Sequence, residues 1–349
     1  MTKRTHPLNA WYVAAWDHEI KKGSMMTREI CNKPLMMYRK ADGTAVAMDD
    51  ACWHRLAPLS KGELIGDNVM CPYHGLVFEP GGRCVHMPSQ ETINPSANVR
   101  AYPLVDRHRF VWIWMGDPAL ADVSNIPDLH WNDDPEWTGD GKVIKLKSNY
   151  LLAVDNLMDL THESFIHAGS IGNDAVAEAP FTVTHGPGSA TVTRWMENIE
   201  APGFWAAQLG KPGNVDRWQI IQFTAPSTIA IDVGVAVAGS GAPSGDRSQG
   251  VNGYVINSIT PSTESTSYYF WSICRNYRLG DMRLTTEWRE AVGGIFMEDE
   301  VILELQQQAI ERNPDKEFYD LNIDAGGMWA RRKVTEMIDA ESSSARQVT

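Results

Sequence analysis

Cys52-Trp53-His54 and Cys71-Pro72-Tyr73-His74 each place one thiolate and one imidazole in a short loop. Zinc accepts mixed sulfur and nitrogen ligands, but a zinc finger draws its cysteines from one close pair and its histidines from another. Here each loop offers one of each. Both cysteines can then hold one iron of a [2Fe–2S] cluster while both histidines hold the other. Imidazole ligands raise the reduction potential above that of four-cysteine clusters, so such a centre accepts an electron from a stronger reductant and passes it on. Pro72 and Gly75 suit a tight turn with N–H groups directed at the bridging sulfides.

A second constellation lies in "VDNLMDLTHESFIHAG", where Asp155, Asn156, Asp159, His162 and His167 crowd together. Asp159 and His162 are three apart and share a face on a helix. His167 would point about 140° away on a regular helix, so both imidazoles reach one metal only if the helix ends or bulges between them. Two histidines and one carboxylate on one side of an iron, with positions left open for O2, form the facial triad of non-haem Fe(II) oxygenases. Asp159 is expected beside His162 as an outer partner, so the carboxylate must come from elsewhere. The late segment "FMEDEVILELQQQ" offers Glu298, Asp299 and Glu300; Asp299 is preferred and Glu298 is the fallback.

The elements that must position these groups fall into two parts. From Trp11 to about Gly116, short β-branched or alternating runs separated by turn residues predict an all-β domain. A helix-like apolar pattern over Lys147 to Gly172 runs through Leu151, Val154, Leu157, Met158 and Phe165. Strand-like runs follow, among them "ATVTRWMENI", "DRWQIIQFTAP", "TIAIDVGVAVAG", "GYVINSITP" and "SYYFWSICRNY". The stretch Gly239 to Gly253 reads as a mobile loop. A long helical pattern at "LTTEWREAVGGIFMEDEVILELQQQAIERN" and a second short helix around "MWARRKVTEMIDA" close the chain. The expected fold class is α+β, with domains over 1–120 and 121–349.

The 349 residues are enough to bury two cores. No run approaches the roughly 18 apolar residues of a membrane span, and the N-terminus lacks the apolar core of a secretory signal. Cytoplasmic residence is expected. A net charge of −13 without a basic stripe argues against nucleic acid and anionic membrane as partners. Five sparse cysteines do not resemble a disulfide framework. No glycine-rich phosphate loop follows a strand, so nucleotide is not expected to bind directly.

With both constellations in place, the chain resembles the oxygenase component of Rieske non-haem iron aromatic-ring oxygenases. The motifs are "NAWYVAAW", "CWHRLAPLS", "CPYHGL", "WIWMGDPALAD" and "DNLMDLTHESFIH". Within that family it is most similar to vanillate O-demethylase oxygenase subunits, through "DNLMDLTHESFIHAGSIG", "APGFWAAQL", "VDRWQI", "VGVAVAG" and "LNIDAGG". Dicamba O-demethylase and toluenesulfonate methyl-monooxygenase look like more distant relatives. Trp53 and Leu56 depart from the usual residues beside the first cluster loop.

The resemblance implies an N-terminal all-β Rieske [2Fe–2S] domain followed by a helix-grip α+β catalytic domain with an antiparallel sheet. It implies the cluster on Cys52, His54, Cys71 and His74, and mononuclear Fe(II) on His162, His167 and Asp299. Asn156 would lie near the iron, and Asp159 would link the two centres, through His74 of a neighbouring subunit in a head-to-tail homotrimer. Electrons would come from a flavin and ferredoxin-type reductase using NADH or NADPH. The implied reaction is O2-dependent hydroxylation of a methyl group on a small aromatic acid: O-demethylation with formaldehyde for a methoxy group, or methyl hydroxylation of a toluenesulfonate. A buried substrate anion needs a cation or hydrogen-bond donor. Arg194 and Arg217 are candidates, with Asp232 and Asn257 on strands expected to line the pocket and Phe204 and Trp271 as aromatic walls.

Overall fold

The computed structural model describes residues 5–88, 90–169, 171–172 and 174–347. The chain divides into two compact units: Met1–Ile126 with Thr260–Glu264, and Pro127–Ile259 with Ser265–Thr349. The division falls after Ile126 rather than after residue 120, and a short piece of the later chain belongs to the first unit.

The first unit is built from eleven short strands: β1 (Trp11–Trp16), β2 (Met26–Ile30), β3 (Lys33–Arg39), β4 (Ala45–Asp49), β5 (Glu63–Ile65), β6 (Asn68–Met70), β7 (Val77–Phe78), β8 (Cys84–His86), β9 (Ala101–Tyr102), β10 (Leu104–Arg107) and β11 (Phe110–Trp114). They form three sheets, β1-β11-β10, β2-β3-β4-β9 and β5-β6-β7-β8. Every residue of β1 and β11 is buried, as expected for such apolar strands. A core of Met36, Tyr38, Met48, Leu59, Val69 and Phe78 packs directly on Cys52 and Cys71. That packing roots two loops, one after β4 and one between β6 and β7.

The second unit contains a seven-stranded sheet in the order β12-β18-β17-β16-β15-β14-β13. Its strands are β12 (Thr138–Leu146), β13 (Phe181–Gly186), β14 (Ser189–Ile199), β15 (Val215–Thr224), β16 (Thr228–Val237), β17 (Gly250–Pro261) and β18 (Ser267–Arg275). It is antiparallel between β12 and β18 and from β13 through β17. The sequence runs mark β14 to β18; β12 and β13 are not singled out, since β12 opens on Thr-Gly-Asp-Gly and the exposed positions of the two strands are Lys, Thr and His.

Among the described residues, five helices accompany the sheet: α1 (Tyr150–Met158), α2 (Asp174–Glu178), α3 (Gly203–Leu209), α4 (Met282–Arg312) and α5 (Ala325–Gln347). Two are longer or shorter than the pattern suggested. The helix begun at Tyr150 stops at Met158, and Phe165 stands 74% exposed instead of continuing the apolar face. The C-terminal helix runs for 23 residues rather than being short. The Gly239–Gly253 stretch contains a 3-10 turn at Ala242–Ser244 and the start of β17, and its Arg247 pairs with Asp232 at 2.7 Å. It is therefore held at its centre, not loose throughout. Among the described residues, no helix is long and apolar enough to cross a membrane.

Candidate metal centres and substrate cavity

The two Cys/His loops share one backbone design. The Cys52 N–H donates to Ala57 O at 2.9 Å and the Leu56 N–H returns to Cys52 O at 2.8 Å. In the second loop the Cys71 N–H donates to Leu76 O at 2.7 Å and the Gly75 N–H returns to Cys71 O at 3.1 Å. Leu56 and Gly75 occupy equivalent corners, and both are left-handed, with φ of 58° and 71°. Glycine adopts that conformation freely, whereas a residue with Cβ is strained by about 1–2 kcal/mol.

Both sulfurs are buried and the two histidines are exposed. The sulfurs interact with each other, and N–H groups of His54 and Arg55 point at Cys52. Burial, opposed by those N–H groups, pushes the Cys52 thiol up to about 11. An incoming metal must displace that proton. The imidazoles of His54 and His74 lie with ring centres 4.7 Å apart. Two inward thiols below two converging outward imidazoles suit a cluster with one sulfur-ligated and one nitrogen-ligated iron.

In the second unit, α1 ends at Met158, and Asp159 turns the chain into a 3-10 segment, Leu160–Ser164. The α-helix thus ends before both histidines, and not between His162 and His167 as their spacing suggested. The Asp159 carboxylate caps this segment by accepting from the Thr161 N–H at 2.9 Å. The expected side-chain bond from Asp159 to His162 does not form. The main-chain carbonyl of Asp159 bonds His162 Nδ1 instead, at 2.7 Å, because the carboxylate is engaged in capping.

The carboxylate comes from α4, where Val292, Ile295, Phe296, Asp299 and Leu303 form one buried stripe at helical spacing. Asp299 is on that stripe, with its side chain 4% exposed; Glu298 is one residue off it and 48% exposed. Asp299 Oδ1 lies 3.5 Å from His162 Nε2 and 3.2 Å from His167 Nε2. Among the described residues these three offer ligand atoms all within 4.8 Å of one another, a donor set that fits a divalent iron.

Neighbours fix the triad. Glu298 bonds His167 Nδ1 at 2.6 Å, leaving Nε2 to face the metal position. Asn156 donates to Asp299 Oδ1 at 3.1 Å. Burial disfavours charge on His167, but Asp299 and Glu298 outweigh it and carry the ring up to about 8.

A cavity opens onto the triad. Its walls are mainly apolar and include Leu157, Phe204, Trp205, Ile231, Val233 and Phe296. Residues 146–340 of the chain match the family described as the vanillate O-demethylase oxygenase C-terminal domain, and residues 10–103 match the Rieske [2Fe–2S] domain. The chain belongs to the vanillate O-demethylase oxygenase family. A vanillate O-demethylase oxygenase subunit from a Pseudomonas species is 42% identical over 91% of this chain and 98% of its own. The iron-sulfur subunit of a toluene-4-sulfonate monooxygenase system from Comamonas testosteroni is 39% identical over 96% and 97%. A crystal structure of dicamba monooxygenase with non-haem iron and dicamba superposes with a TM-score of 0.84 at 32% identity, covering 97% of this chain and 99% of that one. An oxidoreductase of the Rieske oxygenase type accounts for both constellations.

Of the four residues expected to line the pocket, Arg217 does so. Its guanidinium is already engaged, donating to Glu163 Oε2 at 2.9 Å and to Ile171 O at 3.1 Å. Arg194 is buried elsewhere, donating to Thr161 Oγ1 at 3.0 Å, with Asp159 Oδ1 at 3.8 Å. Asp232 faces the other side of the sheet from the cavity-lining Ile231 and Val233, where Trp218 Nε1 and Arg247 bond it. Asn257 is fully buried behind the cavity, accepting from the Tyr269 hydroxyl at 2.7 Å. Strand alternation put Asp232 on the wrong face, and Arg194 and Asn257 are engaged by other partners. Phe204 does line the cavity; Trp271 packs behind it on Phe296, with ring centres 5.1 Å apart.

Two polar cavity residues were not foreseen. Glu163 directly follows His162, and Gln219 shares a strand face with Arg217 two residues earlier. The alternation of β15 carried the signal for Gln219; nothing in the sequence distinguished Glu163.

Proposed function

We propose that this chain is the terminal oxygenase of a Rieske monooxygenase system that removes the methyl group of a methoxy-substituted aromatic acid resembling vanillate. The single observation that carries the reading is an apolar cavity opening directly onto a two-histidine, one-carboxylate triad. His162, His167 and Asp299 hold the mononuclear iron, and Cys52, His54, Cys71 and His74 hold the [2Fe–2S] cluster. The first domain carries the cluster and the second the iron. Together these metals supply reductive activation of O2.

The chain's own residues do the rest. Glu298 and the Asp159 carbonyl hold the two imidazoles so that each presents Nε2. Asn156 steadies Asp299. The apolar walls favour an aromatic ring over water beside the triad. Oxygen insertion into the methyl C–H bond of Ar–O–CH3 gives a hemiacetal, which collapses to the phenol and formaldehyde. With two electrons and two protons consumed, the second oxygen atom leaves as water.

A separate flavin and ferredoxin-type reductase supplies the electrons from NAD(P)H, in the cytoplasm. Three chains assemble head to tail, and Asp159 passes electrons from the neighbouring subunit's cluster. The sequence resemblance supports this assembly. The second reading, hydroxylation of a toluenesulfonate methyl group, is favoured by the 39% identity to the toluene-4-sulfonate subunit.

Purified oxygenase with a compatible reductase, NADH and 4-hydroxy-3-methoxybenzoate is expected to release formaldehyde and the corresponding diphenol. A benzylic alcohol from toluenesulfonate, with no formaldehyde from any methoxybenzoate, would replace this reading by the second.

A further inference from the structure

The polar side of the cavity is self-contained except at one atom. Arg217 and Gln219 project from the same face of β15, and both bond Glu163. The Gln219 amide nitrogen lies 2.9 Å from each Glu163 oxygen. A carboxylate only accepts, so the amide group facing it must be the NH2, and this fixes the orientation of the side chain. The carbonyl oxygen, Gln219 Oε1, then has no donor among the described residues, although the residue is 1% exposed and lines the cavity. A buried acceptor without a donor is costly, and the walls around it are largely apolar. The one arginine among the lining residues is already balanced by Glu163.

We propose that Gln219 Oε1 is the recognition point for a hydroxyl group on the substrate ring, so that the preferred substrate is a hydroxylated aryl methyl ether. This rests on the reading of the chain as an aryl-ether demethylase. A ring hydroxyl donates its proton to Gln219 Oε1 without disturbing the Glu163–Arg217 pair. A substrate carboxylate cannot do so, because it offers the oxygen no proton. Arg217 therefore maintains Glu163 and Gln219 in place and does not serve as the free cation for a substrate anion.

The test is equilibrium binding by calorimetry to the anaerobic, iron-loaded oxygenase. The ligands are 4-hydroxy-3-methoxybenzoate, 3-methoxybenzoate and 3,4-dimethoxybenzoate. Loss of one hydrogen bond to a buried site is expected to weaken binding about tenfold or more for the two ligands without the hydroxyl. Gln219→Met keeps the side-chain length and leaves Arg217 on Glu163. It is expected to abolish the preference by weakening the hydroxylated ligand alone. Equal affinities in the wild type, or a preference that survives in Gln219→Met, would overturn the inference. So would an equal loss for all three ligands, since a merely structural role would weaken them together. Formaldehyde released from all three ethers with no binding preference would sink the Gln219 assignment while leaving demethylation intact. A preserved preference with no formaldehyde from any ether would do the reverse.

Discussion

The two metal-binding regions are assembled on opposite principles. The Cys52 and Cys71 loops are each closed by hydrogen bonds within six residues, and each is a complete half of a centre before it meets the other. The iron triad has no such local unit. His167 and its partner Glu298 are 131 positions apart, and Asn156 and Asp299 are 143 apart. A local loop can be recognised from its residue spacing and tolerates change around it. A site joined across the fold depends on which face of α4 meets the end of α1.

The largest expected effect breaks the second kind of site and spares the first. Asp299→Ala should lose mononuclear iron and all turnover while keeping the visible spectrum of the cluster, because two neutral imidazoles hold a hard divalent ion poorly. Metal analysis beside the absorption spectrum decides it. Full iron loss in Glu298→Ala with none in Asp299→Ala would transfer the ligand role to the exposed neighbour.

The converse change is His54→Ala or His74→Ala, which should remove the Rieske spectrum and leave Fe(II) binding at the triad. An unaltered spectrum in either variant would contradict the loop assignment.

Asp159→Asn separates the two centres more finely. The carbonyl of residue 159 still holds His162, and an asparagine oxygen still caps Thr161, so both metals should load normally. The loss should appear in single-turnover oxidation of the reduced cluster with O2 and substrate present. A wild-type rate with full metal content would confine Asp159 to capping.

The smallest effect concerns the corner residues of the two loops. Leu56→Gly should relieve about 1 kcal/mol of left-handed strain, read as a higher temperature of cluster bleaching. Gly75→Ala should shift it the other way, since an added Cβ would sit 3.1 Å from Pro88 Cγ at a φ of 71°. Equal bleaching temperatures for all three proteins would show that the corners do not limit cluster retention.

Residue type and spacing alone marked Cys52, His54, Cys71 and His74 as a candidate cluster set and required the helix to end or bulge if His162 and His167 were to share a metal. Both follow from backbone rules that act over a few residues: turn geometry and helical pitch. Tertiary structure alone decided how the side chains are shared out. The Asp159 carboxylate is spent on a cap while its carbonyl serves His162; Arg217 is matched to a glutamate that follows a ligand histidine; Arg194 is taken up by Thr161; Asp232 faces away from the cavity. A buried charge or amide takes whichever partner the packing of distant strands and helices brings within bonding distance. That partner is fixed by burial and strand register, which the order of residues in one segment does not contain.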